Sequence, residues 1–441
     1  MIHKETRRDQ FGSQVGFILA CIGSAVGMGN IWLFPFRVGQ FGGAAFLIPY
    51  IVFVIVIGYT GIVEEMCLGR VMRTGPYGAF LKATQMHGSN SGAAIGWIPV
   101  IGSLGIAIGY TVVVGWIIRF TVGAFSGSML AAENSSAYFG AIAGRLSSIP
   151  WHSIAIIGCF IIMAAGISSG IEKVNKVMMP AFFGLFIILA IRVAILPKAA
   201  DGYTFLFKAD WSKLADVKTW VYALGQAFFS LSLAGSGTVV YGSYLKDNED
   251  APTSAKFTAI FDTLAALLAA LVIIPAVFVY NLEPTAGPPL MFITMPMIFK
   301  EMPAGTLFSI IFFVAVLFAG ITSLINLYET PVEMLQQKFK LSRKSALAIV
   351  LGLGFAVGLI VEDGNILGTW MDVISIYIIP LGALLAGVMF FWVCGKDFVV
   401  NEVSKGRLKP VGSVYAAQGK YLYCGVTVII YILGIFYGGI G

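Results

Sequence analysis

Apolar residues in this chain are gathered into long unbroken runs, and polar residues fall between the runs. Eleven runs are long enough to cross the ~30 Å hydrocarbon core of a bilayer as helices. They lie near residues 12–38, 42–69, 95–124, 151–168, 174–196, 218–242, 254–280, 305–335, 344–361, 368–394 and 421–440. The pattern predicts an all-α membrane protein of about eleven transmembrane helices, organised as one polytopic domain over residues 1–441. No linker separates soluble domains. The longest polar stretches are 197–217 and 395–419.

Two runs do not suit one clean helix. In the first, Gly23, Gly27, Gly29 and Asn30 sit within eight residues, and Pro35 follows. Glycine costs a helix about 1 kcal/mol relative to alanine, and an unpaired backbone group in lipid costs several. Such a stretch is tolerated where it faces protein or a small polar cavity. There, freed carbonyls can hold a cation and freed N–H groups a carboxylate. The alternative is close helix packing through small residues. The sixth run has a similar interruption at Ser230-Leu-Ser232-Leu-Ala234-Gly235-Ser236-Gly237. Breaks five runs apart predict an inverted repeat of five plus five spans, with spans one and six unwound at the membrane midplane. Repeat one covers about 11–196, repeat two about 218–394, and an extra span about 421–440. Gly170 and Pro180 at the start of run five allow either local unwinding or a plain helix entry.

Composition agrees with the pattern. The 441 residues are 58% hydrophobic and 11% charged, far below the roughly 25% charged of a soluble domain. The net charge of +6 follows topology and does not indicate nucleic-acid binding. With the N-terminus cytoplasmic, 19 of the 28 Lys and Arg residues fall on the inner side, as the positive-inside rule requires. Eleven spans then place the C-terminus outside. The first residues are polar and lack a cleavable signal pattern. The five cysteines are scattered, so no disulfide framework is expected, and three scattered histidines exclude a zinc site.

Few side chains within the runs could carry chemistry. Ser24 and Asn30 lie in run one, Ser230 and Ser232 in run six, Asp262 in run seven, and Thr322 and Ser323 in run eight. Hydroxyls in membrane helices commonly bond back to their own helix. A carboxylate deep in a span is functional by default, and a cation is the natural partner of Asp262. Of Glu64 and Glu65 in run two, one is expected to face the free N–H groups of a broken helix.

Gly23-Ser-Ala-Val-Gly-Met-Gly-Asn-Ile-Trp32 with Phe34-Pro35 resembles the first-span signature of the neurotransmitter:sodium symporters. Gly42-Gly-Ala-Ala-Phe-Leu-Ile-Pro-Tyr50, Gly69-Arg70, Gly170-Ile-Glu-Lys173, Phe228-Phe-Ser-Leu-Ser232, Gly287 to Pro296 and Ala319-Gly-Ile-Thr-Ser323 extend the resemblance over nearly the whole chain. It implies a LeuT-like fold, alternating access, and sodium-coupled uptake of an amino acid by a multi-pass protein of a bacterial cytoplasmic membrane. Such a protein is not an enzyme. Its partners are the amino acid, sodium and the bilayer, and its oligomeric state stays open.

The resemblance also implies sites. Sodium site one would use Ala25, Asn30, Ser230, Asp262 and the substrate carboxylate. Site two would use the carbonyls of Gly23, Val26 and Ala319 and the hydroxyls of Thr322 and Ser323. The substrate carboxylate would meet Met28, Gly29 and Tyr110. Its ammonium would meet Ala25, Phe229, Ser230 and Ser232, with Phe229 as a lid. Gly27 stands where carriers of monoamines have aspartate, so an α-amino acid with its own carboxylate is implied. Ile106, Ala234, Gly235, Ser236, Ser323 and Leu327 make a small, mainly apolar wall that suits hydrophobic and aromatic side chains. Asp262, with Ala266 one turn on, implies two sodium ions and no chloride requirement.

The chain departs from the family at its gates. Leu33 replaces an outer arginine, so either Arg37, one turn further, substitutes as the partner of Asp372 or the outer gate closes without that pair. On the inner side Arg8 and Tyr244 match, Glu65 matches the buried span-two glutamate, but Gln337 replaces an aspartate and Phe11 a tryptophan. Glu333 is a candidate replacement. Rival readings are a proton-coupled or sodium-independent exchanger on the same fold, and a non-transporting amino acid receptor.

Overall fold

The structure is a computed structural model that describes residues 9–233, 236–282 and 290–437. Arg8, Ala234 and Gly235, expected at the inner gate and in the pocket wall, lie outside the described residues, as does the start of the Gly287–Pro296 block. The described residues form helices and turns with no strand.

Among the described residues, eight helices are long and apolar enough to span a bilayer: Ala44–Met72, Gly92–Ser126, Ile167–Ala194, Ala251–Val279, Gly305–Phe339, Arg343–Val361, Gly364–Val393 and Ser413–Tyr437. Span one is a bent pair, Gln14–Ala25 and Gly29–Gln40, turned by 52°. The shorter apolar helix Ile149–Ala164 is span four, and the pair Val217–Ser230 and Gly237–Gly242 is span six. The eleven predicted runs therefore all appear as helices or helix pairs. Their outward faces stay apolar, with Ile55, Ile157, Ile161 and Ile191 all exposed. That suits a lipid surround.

Spans three and eight form the most extensive helix pair. The Ser103 hydroxyl donates to the Leu327 carbonyl at 2.8 Å, and the Thr111 and Tyr328 hydroxyls lie 2.7 Å apart. Few charges and many small residues allow this close approach. Span one packs against spans five, seven and eight, and span six against spans two and eight.

Span one starts on a cap. Ser13 Oγ accepts the Gly16 N–H at 3.0 Å, and the Glu172 carboxylate from span five accepts the Gly12 N–H at 2.6 Å. The helix stops at Ala25 because Val26 turns extended. It restarts at Gly29 as a π-turn running to Leu33. In span six the break carries two non-glycine residues with left-handed backbone, Ser232 at φ 55° and Ser236 at φ 49°. The two breaks hold each other, since Ser232 Oγ donates to the Ser24 carbonyl at 2.8 Å and Gln226 Nε2 to the Gly29 carbonyl at 3.0 Å.

Of the two readings of span five, this structure has the plain helix entry. The segment from Gly170 to Pro180 stays wound. It begins with a π-turn at Ile167–Glu172 and continues as α-helix through Pro180. Proline removes a single N–H donor, and the surrounding helix carries on past it.

Candidate functional site

The chemistry-bearing residues converge where the two helix breaks meet spans three, seven and eight. Met28 N–H donates to the Tyr110 hydroxyl at 2.9 Å. Gly27 lies under that hydroxyl: a Cβ there would sit 2.5 Å from Tyr110 Oη and 2.6 Å from Ser323 Oγ. Glycine at 27 is therefore required by its neighbours. A Cβ at Gly29 would stand 3.0 Å from the Phe229 ring, so this glycine also makes room for an aromatic neighbour.

One cluster of oxygens centres on Asp262, which is fully buried. Its carboxylate accepts from Asn30 Nδ2 at 2.7 Å and from Ser230 Oγ at 2.7 Å, and Tyr50 reaches both Ser230 and Asp262. Each of these donors is neutral. Asn30 Oδ1 accepts the Gly27 N–H at 3.0 Å. Its amide nitrogen thus occupies the centre of the cluster, and a cation bound there would need the amide turned to present its oxygen. Residues 30, 230 and 262 come together as the sequence implied, with Ala25 at the neighbouring cavity wall.

A second cluster forms around Ser323 Oγ. It lies 3.2, 3.1 and 3.0 Å from the carbonyls of Gly23, Ser24 and Val26. Thr322 Oγ1 turns to the carbonyls of its own helix, Phe318 at 2.9 Å and Ala319 at 3.1 Å. All five residues implied for site two are thus neighbours, and every nearby ligand atom is a neutral oxygen. Hard monovalent and divalent cations prefer such oxygen donors.

Two cavities meet here. The inner one, of about 50 Å³, is lined by Ala25, Gly27, Ile106, Ser232, Ser323 and Leu327 together with Asn326 and Ile379. The other, about 750 Å³, opens towards the far end of span one and carries Trp32, Arg37, Tyr222 and Asp372 on its walls. Met28, Gly29, Tyr110 and Phe229 line both cavities and so form the partition between them.

The expected outer gate pair is arranged differently. Arg37 donates to Gln40 at 2.8 Å and lies over the Tyr222 ring at 4.3 Å, with no ion pair to Asp372 among the described residues. The large cavity separates them. At the opposite end, Glu333 is bonded to Thr74 at 3.0 Å. Among the described residues, a link at that end between span six and the pair of spans eight and nine runs through Glu329. That carboxylate is fully buried, takes both Arg343 guanidinium nitrogens at 2.8 Å, and accepts the Tyr244 hydroxyl at 2.8 Å. Glu65 is buried and lies beside the first N–H groups of Gly237–Gly242, at Thr238 and Val239. The sequence reading missed Glu329, Asn326 and Ile379. The rule that singled out Asp262, a carboxylate inside an apolar run, would have found Glu329.

The sodium:neurotransmitter symporter family model matches residues 8–143 and 135–436. This chain belongs to that family. Among similar proteins, the uncharacterized sodium-dependent transporter YhdH of Bacillus subtilis is 34% identical over 419 residues, covering 91% of this chain and 92% of YhdH. The serotonin transporter of Drosophila melanogaster is 25% identical over 458 residues, covering 91% of this chain and 72% of the fly protein. The crystal structure of MhsT in complex with L-phenylalanine superposes with a TM-score of 0.88 at 31% identity, over 97% of this chain and all of MhsT. As a member of the sodium:neurotransmitter symporters the chain has the LeuT-like fold. It is a multi-pass, sodium-coupled transporter and not an enzyme.

Proposed function

We propose that this symporter carries neutral hydrophobic α-amino acids, aromatic ones included, into the cell with two sodium ions and without chloride. The observation that carries the substrate class is the crowding at Gly27. Tyr110 Oη and Ser323 Oγ fill the space that a side chain would take, so the protein offers no carboxylate of its own there. The Met28 N–H is taken by the Tyr110 hydroxyl oxygen, which leaves the hydroxyl proton to be donated to a carboxylate brought by the substrate. Ile106, Leu327 and Ile379 supply an apolar wall, where a charged side chain would lose its hydration without a partner.

Asp262 supports the ion reading. A buried carboxylate held only by neutral donors is stabilised by a bound cation. Asn30 and Ser230 complete that site, with Ala25 and the substrate carboxylate. Because Asp262 carries a fixed negative charge next to the ion, chloride has no role to fill. The Ser323 cluster would hold the second ion. The N-terminus lies in the cytoplasm of a bacterial cell and the C-terminus outside, from the distribution of Lys and Arg. The large cavity then faces outward, and the Tyr244–Glu329–Arg343 link closes the inner end. The two halves, about 11–196 and 218–394, form an inverted repeat, and the broken spans rock against the spans three and eight pair.

Each sodium ion moving inward down a 100 mV potential releases about 2.3 kcal/mol, so two ions with a zwitterion sustain accumulation. The test is uptake into proteoliposomes with the twenty amino acids as competitors, in sodium, lithium or potassium, with chloride or gluconate. Sodium-dependent, gluconate-tolerant uptake inhibited best by leucine, phenylalanine or tryptophan is expected. Best competition by lysine or glutamate, or equal accumulation in potassium, would overturn the reading.

A further inference from the structure

Span five contributes one polar side chain to the centre of the molecule that the site described so far does not use. Asn175 is fully buried one turn after Glu172. Its amide orientation is fixed: Nδ2 donates to the Ile171 carbonyl at 2.8 Å. A flipped amide would set two acceptor oxygens against each other. The side-chain oxygen therefore points away from its own helix, and it has no hydrogen-bond partner. It points at Gly23. A Cβ on residue 23 would run into Asn175 Oδ1 and would lie 2.9 Å from the Cβ of Thr322. Gly23, Thr322 and the free oxygen of Asn175 thus border the same small volume.

A buried amide oxygen without a donor is costly, and an apolar residue at 175 would avoid that cost. Back-bonding to Ile171 accounts for the nitrogen and leaves the oxygen unexplained. The two residues that this oxygen borders, Gly23 and Thr322, are both assigned to the second sodium site, whose remaining groups are the Val26 and Ala319 carbonyls and the Ser323 hydroxyl. Those are five neutral oxygens from spans one and eight. We propose that the Asn175 side-chain oxygen is a sodium ligand of the second site, added to this set from span five. The proposal rests on the reading of the Ser323 cluster as a sodium site. Gly23 is the ligand nearest the start of span one, so Asn175 stands on that side of the ion. It is then the last oxygen an ion meets when leaving towards the N-terminal end, and glycine at 23 is what lets it approach.

The test uses the full-length purified protein and sodium alone as the probe. Melting temperature is followed as sodium chloride replaces choline chloride at constant ionic strength, without amino acid. Asn175→Leu removes the oxygen, Asn175→Asp keeps the shape and adds charge, and Ser323→Ala marks the established part of the cluster. The sodium concentration giving half the stabilisation should rise about fivefold or more in Asn175→Leu, a ligand being worth somewhat over 1 kcal/mol, and fall in Asn175→Asp. Loss of the response in Ser323→Ala with wild-type midpoints in both Asn175 variants overturns the proposal and leaves the second site standing. A parallel shift in Leu and Asp variants also overturns it, because packing alone would move both alike. A wild-type response untouched by Ser323→Ala removes the second-site reading and the proposal together.

Discussion

Tyr244→Phe tests the closed inner end with the smallest change. The Tyr244 hydroxyl, at the end of span six, donates to Glu329 Oε1 at 2.8 Å. Glu329 is fully buried and keeps two bonds from Arg343 at 2.8 Å when the hydroxyl is lost. No charge is left unpaired, so the 3–5 kcal/mol typical of breaking a buried ion pair does not apply. Among the described residues, what is lost is one hydrogen bond to a charged acceptor, worth about 1.5–3 kcal/mol. The remaining Arg343 bonds place the effect at the lower end, about 1.5 kcal/mol. The inward-open population should rise about tenfold. Cys21 reports it, being 3% exposed and beside Tyr241. In a chain whose other cysteines are serine, the alkylation rate of Cys21 by a small thiol reagent without sodium should rise about tenfold in Tyr244→Phe. An unchanged rate, with amino acid binding and thermal stability intact, would show that the Tyr244–Glu329 bond does not hold the inner end.

Asp262→Asn should abolish sodium-driven uptake or make it depend on an added anion; unaltered uptake in gluconate would remove the fixed-charge argument. Gly27→Ala places a Cβ 2.5 Å from Tyr110 Oη, so equilibrium binding of radiolabelled leucine should weaken at least tenfold, about 1.4 kcal/mol. Arg70 is fully buried between Glu402 and the Glu249 carbonyl, with contacts of 2.6 Å, and Glu402→Ala should cost about 3–5 kcal/mol, read as a large fall in melting temperature. Phe229→Ala opens the partition between the two cavities. It should speed dissociation of bound amino acid severalfold, measured by chase with unlabelled substrate.

The sequence made some features legible because their physical cause is local. Three glycines within eight residues predict a break whatever packs around them, and the break lies at Val26–Met28. Asp262 stands out because a carboxylate in an apolar run has one common explanation. The break in span six was expected from Gly235 and Gly237, whereas its left-handed residues among those described are Ser232 and Ser236. Serine carries no mark of that conformation, which tertiary contacts impose. Gly170 and Pro180 read as breakers, yet the helix runs through both, because bonds on either side survive the loss of one donor. The Glu329–Arg343 pair joins two helices across a turn, and no periodicity predicts which carboxylate an arginine will meet. Asn175 was hidden for a related reason: its unused oxygen is visible only once Gly23 is beside it.

The two strained serines differ in what the strain secures. A non-glycine residue held in the left-handed region costs roughly 1–2 kcal/mol. Ser232 returns something for that cost, since its hydroxyl ties the two breaks together at Ser24. Ser236 does not, for its buried hydroxyl has no partner. Glycine at 236 would relieve the backbone and remove an unsatisfied group at once. A chain shaped by durability alone would have that glycine. Its serine fits a protein kept close above the threshold of stability, in which the resting shape is held with little to spare.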